Sequence, residues 1–316
     1  MAIKKVVVAG GGVLGSQIAF QAAYCGFDVT IWLRSKGSIT RTQPKIDAIK
    51  KDYLDTIARM DTPEGKDPHV FAMGIADVDT FNADDCRKKV EAAYKNLKLE
   101  LDMAAAVKDA DLIIESMSEN KDAKKDFYKA IAPLLEEKTI MVTNSSTMLP
   151  SQFAKYTGRP NKYLALHFAN EIWKNNTAEI MSQKYTDKAS YDVVVKFASD
   201  IRMVPLQLHK EKSGYILNSM LVPFLFSALD LWVEGVSDPQ TIDKTWVLGT
   251  GAPKGPFQII DVVGLKTAYE IVSMYTKIPS FLAPYHFKDM AKALDEYIKA
   301  GKLGVSAGIG FYNYKK

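Results

Sequence analysis

The stretch that decides the fold is "VVVAGGGVLGSQIAF", residues 6–20. Val6 to Val8 read as a buried strand, which stops at Gly10-Gly11-Gly12 before a small-residue helical pattern begins near Leu14. Glycine weakens a helix by about 1 kcal/mol relative to alanine, so helix stability is not the reason for a helix start among glycines. The spacing Gly10-x-Gly12-x-x-Gly15 supplies one. Between a strand and a helix, the first glycine makes the turn, the second lets backbone approach a pyrophosphate, and the third lets helix pack on strand. The helix N-terminus adds partial positive charge. A tight turn alone leaves Gly12 unexplained. The pattern predicts a dinucleotide-binding βαβ unit ending at Leu33, with Gly10, Gly12, Val13, Leu14 and Gly15 against the cofactor.

Outward from this unit the chain keeps alternating in period. "FDVTIWL" (27–33) is the second strand, opened by Gly26 at the helix end. A long, polar and largely helical region follows from about 43 to 108, with a turn-rich break at "MDTPEGKDPH". Further strands are expected at 109–116, 138–146, 162–170, 177–183 and 202–208, with helices at 119–136, 150–156 and 187–201. Such alternation predicts an α/β fold, a Rossmann-type doubly wound and mostly parallel sheet. From about 213 the strand signals end and amphipathic helices take over. The expected organisation is a dinucleotide-binding domain over 1–210 and a smaller all-α domain over 211–316.

Composition narrows the function. The chain has 316 residues, 47% of them hydrophobic and 25% charged, enough for two ordinary globular domains. A net charge of +4 is too small and dispersed for a nucleic-acid partner. Locally, Arg34, Lys36, Arg41, Lys45, Lys50, Lys51 and Arg59 face only Asp47, Asp52 and Asp55. This is either a solvated helix face or a landing surface for an anionic ligand. Two cysteines, Cys25 and Cys86, make neither a disulfide framework nor a metal-ligand set, and fit the reducing cytoplasm. The lysines and short apolar run of "MAIKKVVVAGGG" pass straight into the glycine turn, so export is not expected. Asn218, Pro223 and Asp230 interrupt the apolar segment 214–233, which reads as a core or interface helix, not a membrane span.

The end of the second strand is where an acid would accept hydrogen bonds from an adenosine ribose. Here "WLRSK" puts Leu33 in that place, followed by Arg34 and Ser35. An acid would repel a 2′-phosphate, whereas arginine offers it a charge-assisted, bidentate partner. The reading favours NADP(H) over NAD(H). The alternative is that Arg34 points into water and Ser35 caps a turn.

Of the four histidines, His69 lies in the polar break, and His209 and His286 lack a strand-end context. His167 ends the apolar run "YLAL" at the carboxyl edge, where open α/β sheets place their ligands. Glu179 follows twelve positions later, and a hairpin-like return would set its carboxylate beside the imidazole to fix the tautomer. Ser146 ends the preceding strand and projects into the same crevice. Asn218, a polar residue in an apolar helix, is either a packing contact or a donor to a substrate oxygen. Phe168, Trp173 and Tyr215 suggest an aromatic-lined pocket.

At this point "GGGVLG", "SEN" (118–120), "TNSST" (143–147), "LHFAN" (166–170), Glu179, "SGYILNSMLVPFL" (213–225), "LGTGAPKGPFQIIDVVGL" (248–265) and "GIGFYNY" (308–314) stand in order. Together they resemble the L-3-hydroxyacyl-CoA dehydrogenase family, including its bacterial 3-hydroxybutyryl-CoA dehydrogenases, over nearly the whole chain. The resemblance implies that His167 transfers the proton and Glu179 orients it, with Ser146 and Asn218 holding the substrate's 3-oxygen and thioester region. It places Glu119 near the cofactor and domain interface, Lys124 on the nicotinamide side, and Asn144 among the cofactor contacts. It also implies an acyl-CoA substrate and a homodimer through the helical domain.

The departures are specific. The family's usual "HFFNP" is replaced by "HFANEIWKNNT", and the arginine usual after the asparagine at 218 is Ser219. The segment from Leu33 to Asp109, in the region where the family holds CoA, looks longer than usual. The expectation is an NADP(H)-linked dehydrogenase of short-chain 3-hydroxyacyl-CoA. A second reading keeps the chemistry on a CoA-free 3-hydroxy acid, with "NEIWKNN" building a smaller, more polar pocket. A third, an inactive nucleotide-binding protein, needs none of His167, Glu179, Ser146 and Asn218.

Overall fold

The computed structural model describes residues 2–67 and 70–315, so His69 lies outside the described residues. The chain divides into two compact units, Met1–Ile216 and Leu217–Lys316.

The first unit is built on the unbroken apolar strand of the fingerprint. β1 (Lys5–Ala9) buries four consecutive residues, as a strand covered on both faces must. It leads through the glycine turn into α1 (Val13–Tyr24) and then β2 (Asp28–Trp32), which lies parallel to β1 with Lys5 opposite Asp28 and Ala9 opposite Trp32. The following elements are α2 (Lys36–Met60), α3 (Ala83–Asn96), β3 (Lys98–Glu100), α4 (Met103–Val107), β4 (Leu112–Glu115), α5 (Lys121–Ile131) and β5 (Ile140–Thr143). β6 (Tyr163–Phe168), β7 (Thr177–Met181), α6 (Lys188–Asp200) and β8 (Val204–Leu208) complete it. The eight strands run in the order β3-β2-β1-β4-β5-β6-β7-β8. Every pairing is parallel except the β6–β7 hairpin.

Alternate residues of β1 serve two different cores. Val6 and Val8 join the cluster that includes Ile18, Ile46 and Phe197, whereas Val7 and Ala9 join Val107, Phe127 and Tyr163. Helices therefore cover both faces, the doubly wound arrangement expected. The strand order reverses beside β1, and the turns after β1, β4 and β5 open at the carboxyl edge of that crossover.

Three elements differ from the sequence reading, the first being the helix expected over 150–156, which is two 3₁₀ turns, Pro150–Gln152 and Ala154–Tyr156. α2 begins at Lys36, not near 43, and runs through Pro44, which lacks the N–H that would bond four residues back. Its buried stripe, Ile46, Ile49, Tyr53, Ile57 and Met60, recurs every three to four residues and holds the helix on the core despite that loss. β3, three residues long, pairs only with β2 and has no readable period of its own.

The "NEIWKNN" connection is anchored by its apolar pair: Ile172 and Trp173 are buried in the first core, whereas Glu171, Lys174 and Asn175 are exposed. The Trp173 ring lies 4.9 Å from that of Tyr53, and its Nε1–H donates to Thr56 Oγ1 at 3.3 Å. Phe168 is likewise a core residue.

The second unit contains α7 (Leu217–Val233), α8 (Pro239–Thr250), α9 (Pro256–Val263), α10 (Leu265–Ser273) and α11 (Phe287–Lys299) around Phe226, Leu229, Phe257, Ile260, Phe287 and Leu294. Two buried carboxylates are satisfied within it. Asp243 accepts from the N–H groups of Phe257 and Gln258 at the start of α9, and Asp261 from those of Phe311 and Tyr312. Among the described residues, no helix is long and apolar enough to cross a membrane.

Candidate active site

The glycines of the turn are distinguished by what a methyl group would meet. Gly10 has φ +117°, and an added Cβ would stand 2.5 Å from Ser116 O. At Gly15 it would stand 2.1 Å from Gly10 O, so the helix packs there directly on the turn. At Gly12 nothing lies within 4 Å: the position faces open space. Gly12 is also the N-cap of α1 and makes no side-chain cap, and the first turn carries no acid. An open cradle before an uncapped helix N-terminus suits a pyrophosphate. Gly11 was not singled out from the sequence, yet its Cβ would lie 2.1 Å from Thr42 Oγ1, which donates to Gly11 O at 3.2 Å. The middle glycine of the run, which the fingerprint does not require, was the available signal.

A cleft of about 510 Å³ opens here. Gly10, Gly12, Val13, Leu14, Gly15, Leu33, Arg34, Glu119, Asn144 and Ser146 line it, joined by Ser38, Arg41, Thr42 and Lys45 from α2. These residues fit a dinucleotide, with the cations at the end nearest β2. Ser35 is not on the wall; it is the exposed N-cap of α2, its Oγ 3.1 Å from Ser38 Oγ. Lys124 is not on the wall either: it is fully buried, with Nζ 2.6 Å from Glu115 Oε1. Glu115 also accepts from Met117 N, Tyr128 Oη and Thr143 Oγ1, so a satisfied ion pair underlies the loop after β4. That loop carries Glu119, which accepts from Ser145 Oγ at 2.7 Å and Thr147 Oγ1 at 2.8 Å. Asn144 bridges strand ends, accepting from Phe168 N at 3.1 Å.

Antiparallel pairing sets His167 of β6 directly opposite Glu179 of β7, so both side chains leave the same face. Nδ1 of His167 lies 3.0 Å from Glu179 Oε2, and Nε2 lies 3.1 Å from Ser146 Oγ. His167 is 5% and Glu179 3% exposed. A carboxylate only accepts, so Nδ1 carries a hydrogen and Nε2 is the atom that takes or gives the working proton. The second carboxylate oxygen, Oε1, accepts from Ile216 N at 2.8 Å. Tyr215 stacks on the imidazole with ring centroids 4.3 Å apart and planes 13° apart, and its hydroxyl donates to Ser145 O at 2.8 Å. Burial, and then the charges of Glu119 and Glu179, push its phenol far up, so it remains a donor. Asn218 belongs to the second unit, in the first turn of α7, and is half-buried.

One further cluster brings metal-type ligands together. In the second unit Asp230, Glu234 and His286 hold a ligand atom each within 4.8 Å of one another. Asp230 Oδ1 already accepts from the backbone N–H of His286 at 2.8 Å, and the cluster fixes the entry to α11.

A cleft that fits a dinucleotide and a carboxylate-backed histidine meet at one sheet edge, which is the layout of a nicotinamide-dependent oxidoreductase. The family profiles agree. "3-hydroxyacyl-CoA dehydrogenase, NAD binding domain" matches residues 5–212, and "3-hydroxyacyl-CoA dehydrogenase, C-terminal domain" matches 214–314. The chain belongs to the 3-hydroxyacyl-CoA dehydrogenase family. It is 28% identical to the 3-hydroxybutyryl-CoA dehydrogenase of Clostridioides difficile over 313 residues, 99% of this chain and 100% of that one. It is 28% identical to human mitochondrial hydroxyacyl-coenzyme A dehydrogenase, over 99% of this chain and 92% of that one. Among solved structures, a diketoreductase described as acting on dicarbonyl compounds is 46% identical, with a TM-score of 0.80 over 99% of this chain and 100% of the other.

Proposed function

We propose that the protein is a cytoplasmic, NADP(H)-preferring 3-hydroxyacyl-CoA dehydrogenase that interconverts a short-chain 3-oxoacyl-CoA and the 3-hydroxyacyl-CoA. Gly10, Gly12, Gly15 and Arg34 would hold the nicotinamide dinucleotide, which when bound would supply or accept the hydride at the 3-carbon. Nε2 of His167 gives the proton to the 3-oxygen in reduction and removes it in oxidation. Glu179 holds the ring and stabilises the imidazolium, Ser146 bonds the 3-oxygen, and Asn218 is assigned to the substrate carbonyls. The observation that carries this reading is the Glu179–His167–Ser146 chain at 3.0 and 3.1 Å, beside the open cradle at Gly12. Leu33 in place of an acid supports the NADP(H) preference. So do Arg34, Arg41 and Lys45 on the cleft wall, none of which pairs with a carboxylate within 4.0 Å among the described residues. We further propose domains over 1–210 and 211–316, and a homodimer through the helical one, whose Met220, Leu248 and Phe281 are 70%, 73% and 85% exposed.

The test is the initial rate with acetoacetyl-CoA, using NADPH and NADH in turn, for the parent and for His167→Gln. Fast NADPH oxidation, abolished in His167→Gln with nucleotide binding retained, is expected. Near-full activity in the variant would refute the role of His167, and faster NADH turnover would refute the reading of Arg34.

The 46% identity to a diketoreductase favours a second reading, reduction of a CoA-free β-dicarbonyl by the same residues. Charge reversal at Lys51 and Arg59, exposed members of the same basic run that do not line the nucleotide cleft, is expected to weaken turnover of a CoA thioester and to leave that of a CoA-free diketo ester unchanged. If the parent reduces only the ester, the second reading holds.

A further inference from the structure

The catalytic pair is gripped from a third side by a residue with no assigned part in the reaction. A hydrogen bond at Nδ1 fixes one edge of the imidazole but leaves it free to tilt about that bond. What opposes tilt is a surface against the ring face, and the Tyr215 ring supplies it at 4.3 Å and 13°. The same side chain reaches the other reacting group. Its hydroxyl donates to Ser145 O at 2.8 Å, one residue before Ser146, whose Oγ meets Nε2. The adjacent Ile216 N–H holds Oε1 of Glu179. Around His167 stand Glu179 at Nδ1, Ser146 at Nε2 and Tyr215 on the face, with Glu119 holding the Ser146 N–H from the loop after β4 at 3.3 Å.

The backbone there is costly. Gly214 and Tyr215 have φ +80° and +53°, and the left-handed region is strained for a bulky side chain. Such a conformation persists only where the surroundings fix it. A residue needed only to fill the small cluster of Ala165, Met181 and Leu208 requires neither this backbone nor a hydroxyl.

We propose that Tyr215 is a positioning residue for the proton transfer, holding the His167 ring and the Ser146 loop as one piece. The proposal rests on the functional reading above. Tyr215→Phe keeps the ring and frees Ser145 O; Tyr215→Leu removes both restraints. Because a misplacement of about 1 Å costs about a hundredfold in rate, kcat is expected to fall about threefold in Tyr215→Phe and at least about thirtyfold in Tyr215→Leu. KM and NADPH affinity stay within about twofold, since neither restraint holds substrate or nucleotide. The solvent deuterium isotope effect on kcat rises in the same order, and that from deuterated nicotinamide does not. A folded Tyr215→Leu with kcat close to the parent's, or a loss carried by KM, would overturn the proposal. Should Tyr215→Leu fail to fold, parent-like kcat and solvent isotope effect in Tyr215→Phe overturn it. NMR of ring-labelled histidine needs no turnover: the ring current of Tyr215 shifts the His167 ring protons in the parent and in Tyr215→Phe. Identical His167 resonances in a folded Tyr215→Leu would also overturn the proposal. An inactive parent, or an active His167→Gln, would mark failure of the functional reading instead, with the NMR test still decisive for Tyr215.

Discussion

Gly12 and Gly15 stand three residues apart in one turn, and a methyl group added to each meets different surroundings. At Gly12 it enters open space, whereas at Gly15 it lands 2.1 Å from a backbone oxygen. Gly12→Ala is therefore expected to melt like the parent and to bind NADPH at least about tenfold more weakly, because the methyl occupies the approach of the pyrophosphate. Gly15→Ala is expected to lose about 1–3 kcal/mol of stability by overpacking. Thermal melts with and without nucleotide separate the two, and equal melting losses would refute the division of roles. These glycines were legible because their chemistry lies within one βαβ unit. The His167–Glu179 pair was legible too, since a hairpin return is a local event. Gly11 was not, because Thr42, the reason for it, is 31 residues away in α2. Tyr215 was legible only as a pocket aromatic, because its partners come from β6 and the turn after β5, and the burial of Lys124 was not, because it depends on Glu115 being buried beside it.

Among the elements, β1 and β4 are joined at their starts by one carboxylate. Asp111, just before β4, accepts from the N–H groups of Lys4 and Lys5 at 2.9 and 3.0 Å and pairs with Lys138 at 2.8 Å. Burial pushes its carboxyl up, but the bonds from Lys138, Lys5 and Lys4 outweigh it, and the net direction is down. A carboxyl lowered in the folded state stabilises fully above its unfolded pKa of about 3.9, and this stabilisation is lost as pH falls through the lower folded value. Asp111→Asn is thus expected to cost about 1–2 kcal/mol at neutral pH, with the gap closing in acid. Urea titrations of both proteins from pH 7 downward check it; a gap that widens in acid would refute the sign. Long elements were readable at this scale because burial repeats along them. β3 was not, since three residues show no period, and the start of α2 at Lys36 was not, since the buried stripe that carries the helix through Pro44 depends on the core beneath it.

For the molecule as a whole, the apolar surface of the second unit bears on the proposed dimer. Sedimentation of the parent is expected to give a dimer at micromolar concentration, and joint replacement of Leu248 and Phe281 by glutamate to give a monomer. A monomeric parent would refute the assembly. The family and the two-part architecture were both open to a reader of the sequence, because the motifs are spread along the whole chain. The substrate end was less so. The long segment after β2 and the unusual connection between β6 and β7 looked like two unrelated oddities. In the folded chain they are one: Trp173 packs on Tyr53 and bonds Thr56 of α2, and Gly74 N donates to its carbonyl oxygen at 3.1 Å. A methyl group at Gly74 would lie 2.6 Å from that oxygen. Either segment without the other leaves a void or a collision, so a chimera built with a relative will need to exchange both or neither.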